Sequence, residues 1–524
     1  MPLEIVCNGG DNQLDASVNW VVNRKEMFKG DLSLSSSFSK DENNNLTTDL
    51  TINPSNLIFN DSVWTIQQAH IHHTKDQIIV DNFDVRHSDQ FITIEGKASP
   101  SPEDVLCIDL RNVNLDYIFQ TLEINNVTIG GDATGTFYAS QLFSKTPVAY
   151  TNNLKVKGIS YNSAVFGDAM LKAHWNNENQ AVHIDADITQ ANKEKSQIYA
   201  KIFPIKEALD LKFVANKLNA SFMNPFMSAF ASDVQGKVTG NAHLYGTFKE
   251  IDMAGDIFVE DFKFKINYTN VYYTASDSIR IRPGIIELND IAIRDMNNNT
   301  GTLNGWLKHT YFKEAEFNFD ITNTKNLLCY DINEHAGDTW YGHINGNGSA
   351  HIDGKPGVVN IKVDMTTSPK SNFTFVISDM VSASEYSFLT FRDKEAGTKK
   401  QETIVTDEPI EVVQFKEKQK KIEEASSSEF NIQIKVDVTP QALITLVMDP
   451  VGGDKIRGTG KGTLRLDYGS REDEVKMYGT YNIDEGSYNF TLQDIIIKDF
   501  KIRNNSSVSF NGDPMAAQLD IIAA

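Results

Sequence analysis

Apolar and polar residues alternate along most of this chain, with a period of two that outscores a helical period in segment after segment. The clearest example is residues 430–438, where five apolar residues are separated by single polar ones. Such alternation is typical of strands with one dry and one solvated face. Turn-forming Asn, Asp, Ser and Gly residues separate the alternating segments, as at 295–301 and 504–507. The pattern predicts an all-β protein built as a long meander of short strands.

Helical patterns occur only in short pieces, at residues 115–122, 222–230 and 409–424. The last piece contains the charged run Lys416-Glu-Lys-Gln-Lys-Lys421 and is followed by Ser426-Ser-Ser428. This composition is typical of a solvated helix or a linker between modules. We therefore predict a charged helix or linker at 406–428.

Gly-x-x-x-Gly turns recur ahead of alternating segments. Those at 131–135, 236–240 and 342–346 start 105 and 106 residues apart, and a fourth follows at 458–462. The repeat predicts stacked β modules that each contact only their neighbours. The predicted divisions are 1–125, 126–235 with a short helix at its end, 236–341, 342–405, the linker 406–428, and 429–524.

Composition is that of a folded protein, with 40% hydrophobic and 23% charged residues among 524. The 49 basic and 70 acidic residues give a net charge of −21, which argues against nucleic-acid binding and against polybasic attachment to anionic lipids. Cys7, Cys107 and Cys329 are far apart and predict no disulfide framework. The chain has no apolar window long enough to span a bilayer and no signal-peptide pattern, and it stops inside an alternating segment, so we interpret it as a fragment.

No catalytic, metal or cofactor site can be predicted with any specificity. In His70-Ile-His-His73, His70 and His72 would share one face of a strand, but no further zinc ligands are identifiable. The acidic groups Asp41-Glu42 and Glu472-Asp-Glu474 fall in turn-like, solvated segments rather than in a glycosidase arrangement. Gly452-Gly-Asp454 lacks the Lys-Ser/Thr of a phosphate loop, and a tight turn explains it. We predict that the protein is not an enzyme.

A specific succession of turns and strands characterises the C-terminal part. It consists of Met448-Asp-Pro-Val-Gly-Gly-Asp454, Gly458-Thr-Gly-Lys-Gly462, Met477-Tyr-Gly-Thr-Tyr481, Glu485-Gly-Ser-Tyr-Asn-Phe490 and Phe510-Asn-Gly-Asp-Pro514. This order resembles the TamB family, the inner-membrane component of the bacterial translocation and assembly module, within the AsmA-like bridge-like lipid transfer proteins. A weaker resemblance covers residues 291–391, and the first 230 residues resemble the family only in general character.

The resemblance implies an elongated antiparallel sheet of stacked modules, curled into an open hydrophobic groove, with a few short helices. It also implies a periplasmic protein, anchored in the inner membrane by a segment absent from this chain. The implied functions are phospholipid transport between inner and outer membranes and outer-membrane protein assembly. The implied partners are phospholipid acyl chains and, through parts not in this chain, an outer-membrane barrel protein of the Omp85 class.

An apolar groove would be lined by the inward residues of the alternating segments. These predicted lining residues are Phe317, Phe319, Ile321, Phe430, Ile432, Ile434, Val436, Val438, Leu464, Leu466, Phe490 and Leu492. Taken without the resemblance, the same residues would fill an ordinary sandwich core. Two other functions therefore stay open, a repeat β-solenoid adhesin without lipid transport and a carbohydrate-active β enzyme. An apolar sheet face that remains open to solvent would favour the groove.

Overall fold

Nearly all of the described chain is β-strand, in agreement with the all-β prediction. The computed structural model describes residues 3–23, 27–59, 62–116, 129–161, 164–228, 230–311, 313–335, 340–376, 429–449, 453–471, 474–492 and 496–523. The first sixteen strands are β1 Leu3–Gly10, β2 Gln13–Asn23, β3 Met27–Lys40, β4 Leu46–Ile52, β5 Ser55–Phe59, β6 Ser62–Ile66, β7 Ala69–His73, β8 Ile78–His87, β9 Gln90–Ala98, β10 Val105–Asn114, β11 Ile129–Ser140, β12 Val148–Tyr161, β13 Ala164–Asn176, β14 Ala181–Thr189, β15 Lys195–Phe203 and β16 Ala208–Asn219.

Longer strands are common in the second half. These strands are β17 Ala231–Thr247, β18 Glu250–Ile266, β19 Val271–Arg282, β20 Ile285–Asp295, β21 Thr300–Thr310, β22 Lys313–Lys325, β23 Leu327–Ile332, β24 Trp340–Lys355, β25 Val358–Thr367, β26 Asn372–Val376, β27 Glu429–Val438, β28 Leu443–Asp449, β29 Asp454–Gly469, β30 Glu474–Leu492, β31 Ile496–Ile502, β32 Ser506–Gly512 and β33 Gln518–Asp520. The predicted turns at 295–301 and 504–507 are confirmed, since they connect β20 to β21 and β31 to β32.

Helical structure in the described residues is limited to short turns. A 3-10 turn, Ala220–Met223, leads directly into an α-helical turn, Asn224–Met227, and a second 3-10 turn spans Pro514–Ala516. The Asn219 side chain caps the first turn by accepting a hydrogen bond from the Ser221 N–H. The helix predicted at 222–230 is thus confirmed in kind, although it begins earlier and is shorter. Most of the helix predicted at 115–122, and all of that at 409–424, lies outside the described residues.

The chain forms two compact units. Unit 1 comprises Met1–Pro225, Lys237–Phe258 and Ile281–Pro283, and unit 2 comprises Phe226–Gly236, Val259–Arg280 and Gly284–Ala524. Unit 1 contains a cluster of buried apolar side chains that includes Val156, and unit 2 contains clusters that include Ile293 and Ile483. Each unit therefore has a core of its own. The finer division into six parts stays a prediction.

In unit 1 successive strands from β8 to β17 pair antiparallel with their neighbours in sequence. The register is interrupted by β-bulges such as the one at Lys217, whose φ is 46°. The backbone N–H of Lys217 donates to Thr239 Oγ1 on β17 at 3.0 Å. Gly240, which follows Thr239, has a φ of 145°. Bulges increase the local twist and bend the strand. This arrangement explains the second glycine of the repeat at 236–240.

In unit 2 the long strand β24 pairs with two shorter strands on each side. Its second half lies between β22 and β25, and its first half lies between β23 and β26. Two further pairs, β25 with β27 and β26 with β28, are parallel. Parallel neighbours need a long crossover, and the chain between β26 and β27, residues 377–428, is long enough to provide one. The sheet is therefore antiparallel with two parallel exceptions.

Candidate functional site

An unbroken row of apolar side chains crosses eight strands of unit 2. Each member is the direct cross-strand partner of the next, from β20 to β30. This first row consists of Ile291, Leu303, Ile321, Ala350, Val363, Ile434, Leu466 and Met477. The residues at its two ends are buried, with Ile291 4% and Met477 6% exposed. All residues between them are half-buried.

Two further rows run alongside the first on the same face, because side chains two residues apart in a strand point the same way. The second row consists of Leu288, Gly305, Phe319, Ile352, Ile361, Ile432, Tyr468 and Val475. The third row consists of Ile286, Leu307, Phe317, Gly354, Val359 and Phe430. Every residue of these two rows is half-buried. We call the three rows together the apolar face of unit 2.

The opposite face of the same strands is polar. His351 Nδ1 lies 2.7 Å from Asp320 Oδ1 on the neighbouring strand, and Lys435 Nζ lies 3.2 Å from Asp364 Oδ2. Exposed pairs of this kind contribute at most about 1 kcal/mol each to stability. These pairs favour a register in which their own face is solvated. The same register places the three rows on the opposite face.

The strands of unit 2 are bent so that the apolar face is concave. The rings of Trp340, at the start of β24, and Tyr468, near the end of β29, have centroids 6.3 Å apart. Successive cross-strand pairings connect Trp340, through β26 and β28, to Ile456 at the other end of β29. A straight β29 would hold Ile456 and Tyr468 about 40 Å apart at roughly 3.4 Å per residue. The two ends of β29 therefore form opposite walls of a groove.

Glycines lie at the bend between the two walls. Gly458, Gly460 and Gly462 fall between Ile456 and Tyr468 on β29. A Cβ atom on Gly460 would lie 2.0 Å from the backbone oxygen of Asn482 on the adjacent strand. Glycine therefore permits an approach of two backbones that any side chain would prevent. This is the structural role of the predicted turn motif at 458–462, which lies inside a bent strand rather than in a loop.

A small, partly open cavity of about 50 Å³ lies between the walls near the C-terminal end of unit 2. Its lining is almost wholly apolar and comes from both walls and from the bend. The lining residues are Phe373, Phe375, Ile444, Leu446, Ile456, Gly458, Leu464, Met477, Tyr481, Ile483, Val508 and Phe510. The Tyr481 hydroxyl already donates a hydrogen bond to the Gly458 carbonyl, so the space offers little to hold water and favours hydrocarbon.

Unit 1 presents apolar rows of its own. One consists of the mutually paired residues Leu154, Leu171, Ala186, Ile198, Phe213 and Ala242, on β12 to β17. Beside it runs a row of Val113, Ala133, Val156, Ala169 and Ile188, none more than 4% exposed. Leu115 is among the half-buried side chains that pack against this buried row, and most of the adjacent row is itself half-buried.

Most of the predicted lining residues share one face in unit 2. Seven belong to the three rows, namely Phe317, Phe319, Ile321, Phe430, Ile432, Ile434 and Leu466, and Val436, Val438 and Leu464 continue the same face along β27 and β29. Phe490 is half-buried against the ring of Tyr488, with centroids 6.0 Å apart, and the side chain of Leu492 lies outside the described residues. That these residues line a path for a ligand stays a prediction.

Sequence reasoning missed the lining residues contributed by β25 and by unit 1. Val359, Ile361 and Val363 alternate with polar residues as cleanly as residues 430–438 do, so the same signal could have found them. In β21 and β24 the apolar pattern is interrupted by Gly305 and Gly354. The alternation alone therefore does not predict that these two strands contribute to the same apolar face.

The other candidate residues have local structural roles. His72 Nδ1 lies 2.6 Å from Asp49 Oδ1 on the adjacent strand, and no group of three or more His, Cys, Asp or Glu among the described residues is placed to hold a metal. Asp41 accepts hydrogen bonds from the Asn45 side chain and backbone in a hairpin turn, which lowers its pKa. Residues 472 and 473 lie outside the described part of the chain.

The fold and the site together define a class of protein, a bent β-sheet with a concave and partly open apolar face. Within that class, residues 289–524 match the model of the TamB C-terminal domain. This match confirms the resemblance predicted from the sequence for the C-terminal part of the chain. No curated protein and no solved structure matches the chain.

A TamB C-terminal domain implies the bacterial cell envelope and supports a TamB-like role in lipid or protein transport there. TamB proteins form a transport and scaffold family rather than an enzyme family. Within the described ranges, no helix has both the length and the apolar character that crossing a membrane requires.

Proposed function

We propose that this chain is a lipid-conducting part of a periplasm-spanning protein, in which phospholipid acyl chains move along the apolar face between inner and outer membranes. The observation that carries the proposal is the unbroken first row. Seven spacings between neighbouring strands, at about 4.8 Å each, give it a contour length of roughly 34 Å. This is comparable with the roughly 30 Å hydrocarbon thickness of a bilayer, so the row is long enough to hold an acyl chain throughout.

Continuity of the lining is what acyl-chain transport requires. Exposing an acyl chain of about fifteen methylenes to water costs roughly 12 kcal/mol at about 0.8 kcal/mol per methylene. If the apolar patches were separate, the acyl chain would be exposed to water at this cost each time it moved from one patch to the next. In the three rows the departures from bulky side chains are Gly305, Gly354 and Ala350, which add space without adding a polar group.

The finer parts of the role rest on the family alone. We include in the proposal an inner-membrane anchor and contact with an outer-membrane barrel protein of the Omp85 class, both through segments outside this chain, and a contribution to outer-membrane protein assembly. An adhesin without lipid transport would bury its apolar residues in a closed core. The half-buried state of nearly all residues in the three rows favours the groove over that alternative.

The test places a charge in the middle of the first row. We expect Ile434→Asp to abolish crosslinking of a photoreactive phospholipid to the purified chain, because a carboxylate interrupts the apolar path. Ile434 is only half-buried, so the carboxylate can remain hydrated and cooperative thermal unfolding should persist. The matched control is Gln433→Asp on the exposed outer face, where the cross-strand neighbours are Lys362 and Asp467, and Asp467 is paired with Arg465. Lys435→Asp is a poorer control because Lys435 pairs with Asp364.

Two results would contradict the proposal. Equal lipid crosslinking in the parent, Ile434→Asp and Gln433→Asp would show that the first row does not contact lipid. Loss of cooperative unfolding in Ile434→Asp, measured by circular dichroism, would show that the face is a closed core, in which an unpaired charge costs several kcal/mol.

A further inference from the structure

Two aromatic contacts join the opposite walls of the groove in unit 2. The rings of Trp340 and Tyr468 have centroids 6.3 Å apart, and those of Tyr268 and Phe430 have centroids 5.4 Å apart. Both Tyr468 and Phe430 belong to the apolar face, in the second and third rows. The contacts therefore lie on the groove side of the sheet and not on its polar side.

Tyr268 is held at the top of one wall by its own turn, which connects β18 to β19. The Asn270 side chain donates a hydrogen bond to the Asp331 carbonyl at 2.9 Å, and the Asp331 N–H donates to the Thr269 carbonyl at 2.9 Å. These bonds attach the turn to β23. Tyr268 itself is 36% exposed, and the hydrogen bonds of its neighbours Thr269 and Asn270 hold its turn in place.

Phe430 lies on the other wall. On β24, His343 is the partner of Asp331, whereas Gly354 is joined through β25 to Phe430. A straight β24 would place His343 and Gly354 about 37 Å apart at roughly 3.4 Å per residue. The contact between Tyr268 and Phe430 therefore bridges the groove from one wall to the other.

These bridges obstruct a phospholipid but not a bare hydrocarbon chain. Burying an unpaired polar group in an apolar environment costs several kcal/mol, so the headgroup must travel along the open mouth while the acyl chains travel along the rows. At each aromatic bridge the paired rings join the two walls, so the headgroup cannot pass along the open side of the groove. The bridges are also weak enough to break, since an aromatic pair contributes only about 0.5–1.5 kcal/mol beyond its buried area.

We propose that the Tyr268–Phe430 and Trp340–Tyr468 pairs are gates that open for each passing phospholipid and set the rate of its movement through unit 2. This inference rests on the proposed lipid-conducting function and names the residues that control it. A gate of this kind changes the rates of lipid entry and exit equally. It therefore leaves the amount of lipid bound at equilibrium unchanged.

The first experiment uses Tyr268, because its ring lies in a turn. The rate at which the purified chain exchanges a fluorescent phosphatidylethanolamine between vesicles would be measured, together with the amount of this lipid that the chain binds at equilibrium with the vesicles. We expect Tyr268→Ala to raise the exchange rate at least threefold with unchanged equilibrium binding. Tyr268→Phe keeps the ring and should match the parent. The control Tyr478→Ala removes a tyrosine of similar exposure, 39%, that stacks with Arg465 on the polar face, and should also match the parent.

The second experiment locks the gate. Tyr268→Cys and Phe430→Cys are combined in a chain whose Cys7, Cys107 and Cys329 are replaced by Ala, and a reducible bifunctional thiol reagent bridges the two positions. We expect exchange to fall at least tenfold and to recover on reduction.

The outcomes separate the two proposals. Equal exchange by the bridged and the reduced protein, or by Tyr268→Ala and Tyr478→Ala, in a parent that retains phospholipid would overturn the gate at Tyr268 and Phe430 alone. A parent that neither retains nor exchanges phospholipid would overturn the lipid-conducting function and the gates with it.

Discussion

Cysteine thiols in this chain differ in how far the sheet removes them from water. Cys329 lies half-buried in β23, and its Sγ donates to the Leu327 carbonyl at 3.2 Å. Burial raises the pKa of the Cys329 thiol to about 11, and the nearby carboxylate of Asp295 adds to the shift. Cys7 in β1 is exposed. The thiolate is the reactive form, so these environments determine the order of modification.

We expect an aromatic disulfide reagent at pH 8 to modify Cys7 within the first phase and Cys329 last. With a pKa of about 11, roughly one Cys329 thiol in a thousand is ionised at that pH. Cys107, half-buried and with its pKa raised mainly by burial, should react at an intermediate rate. Mass spectrometry of the modified peptides over time measures the order. Modification of Cys329 as fast as Cys7 in the folded chain would contradict this account of unit 2.

At the scale of the element, bent strands depend on glycines that lie where two backbones approach closely. Gly460 of β29 and Gly348 of β24 are among the tightest, because a Cβ atom added at these positions would lie 2.0 Å from the Asn482 oxygen and 2.1 Å from the Asp364 oxygen. Real side chains do not tolerate such contacts, so a larger residue must push the strands apart. Because the bend makes the apolar face concave, stability and groove shape depend on the same positions.

Gly460→Ala should therefore lower the free energy of unfolding by about 1–3 kcal/mol or more, the range for overpacking in a close-packed interior. Gly10→Ala provides the control, because a Cβ at Gly10 in β1 meets no atom within 4 Å. Urea unfolding of the parent and both variants measures the difference. A Gly460→Ala midpoint no lower than that of Gly10→Ala would mean that β29 does not require a close backbone approach at its bend.

The sequence predicts features that depend on neighbouring residues, such as side-chain direction, but not contacts between segments that are distant in the chain. Alternation in 430–438 correctly predicted a strand with Ile434 and its apolar neighbours on one face, because side-chain direction follows from the backbone alone. The partner strand was not predictable: Ile434 pairs in parallel with Val363, and a long intervening segment separates the two in sequence. The gates were missed for the same reason, since the contact of Tyr268 with Phe430 depends on the bend of other strands and leaves no periodic signal.

At the scale of the whole molecule, the net negative charge opposes the approach of the protein to anionic membranes. Its 49 basic and 70 acidic residues give a net charge of −21, and anionic bilayer surfaces repel such a protein. The apolar face and the gates contain no lysine or arginine that could offset this by capturing headgroups. Lipid uptake by this chain should therefore be driven by burial of hydrocarbon, with electrostatics as an opposing contribution.

We accordingly expect phospholipid exchange by the purified chain to be slower with vesicles rich in phosphatidylglycerol than with vesicles of phosphatidylcholine at low ionic strength. The gap should close as salt increases, because the screening length falls from about 30 Å at 0.01 M to about 3 Å at 1 M. The hydrophobic contribution is not weakened by such screening, so exchange from the neutral vesicles should stay nearly constant and serves as the internal control. Stopped-flow fluorescence measures both rates across the salt series. Faster exchange with the anionic vesicles at low salt would show that a local basic surface, rather than the net charge, governs approach to the membrane.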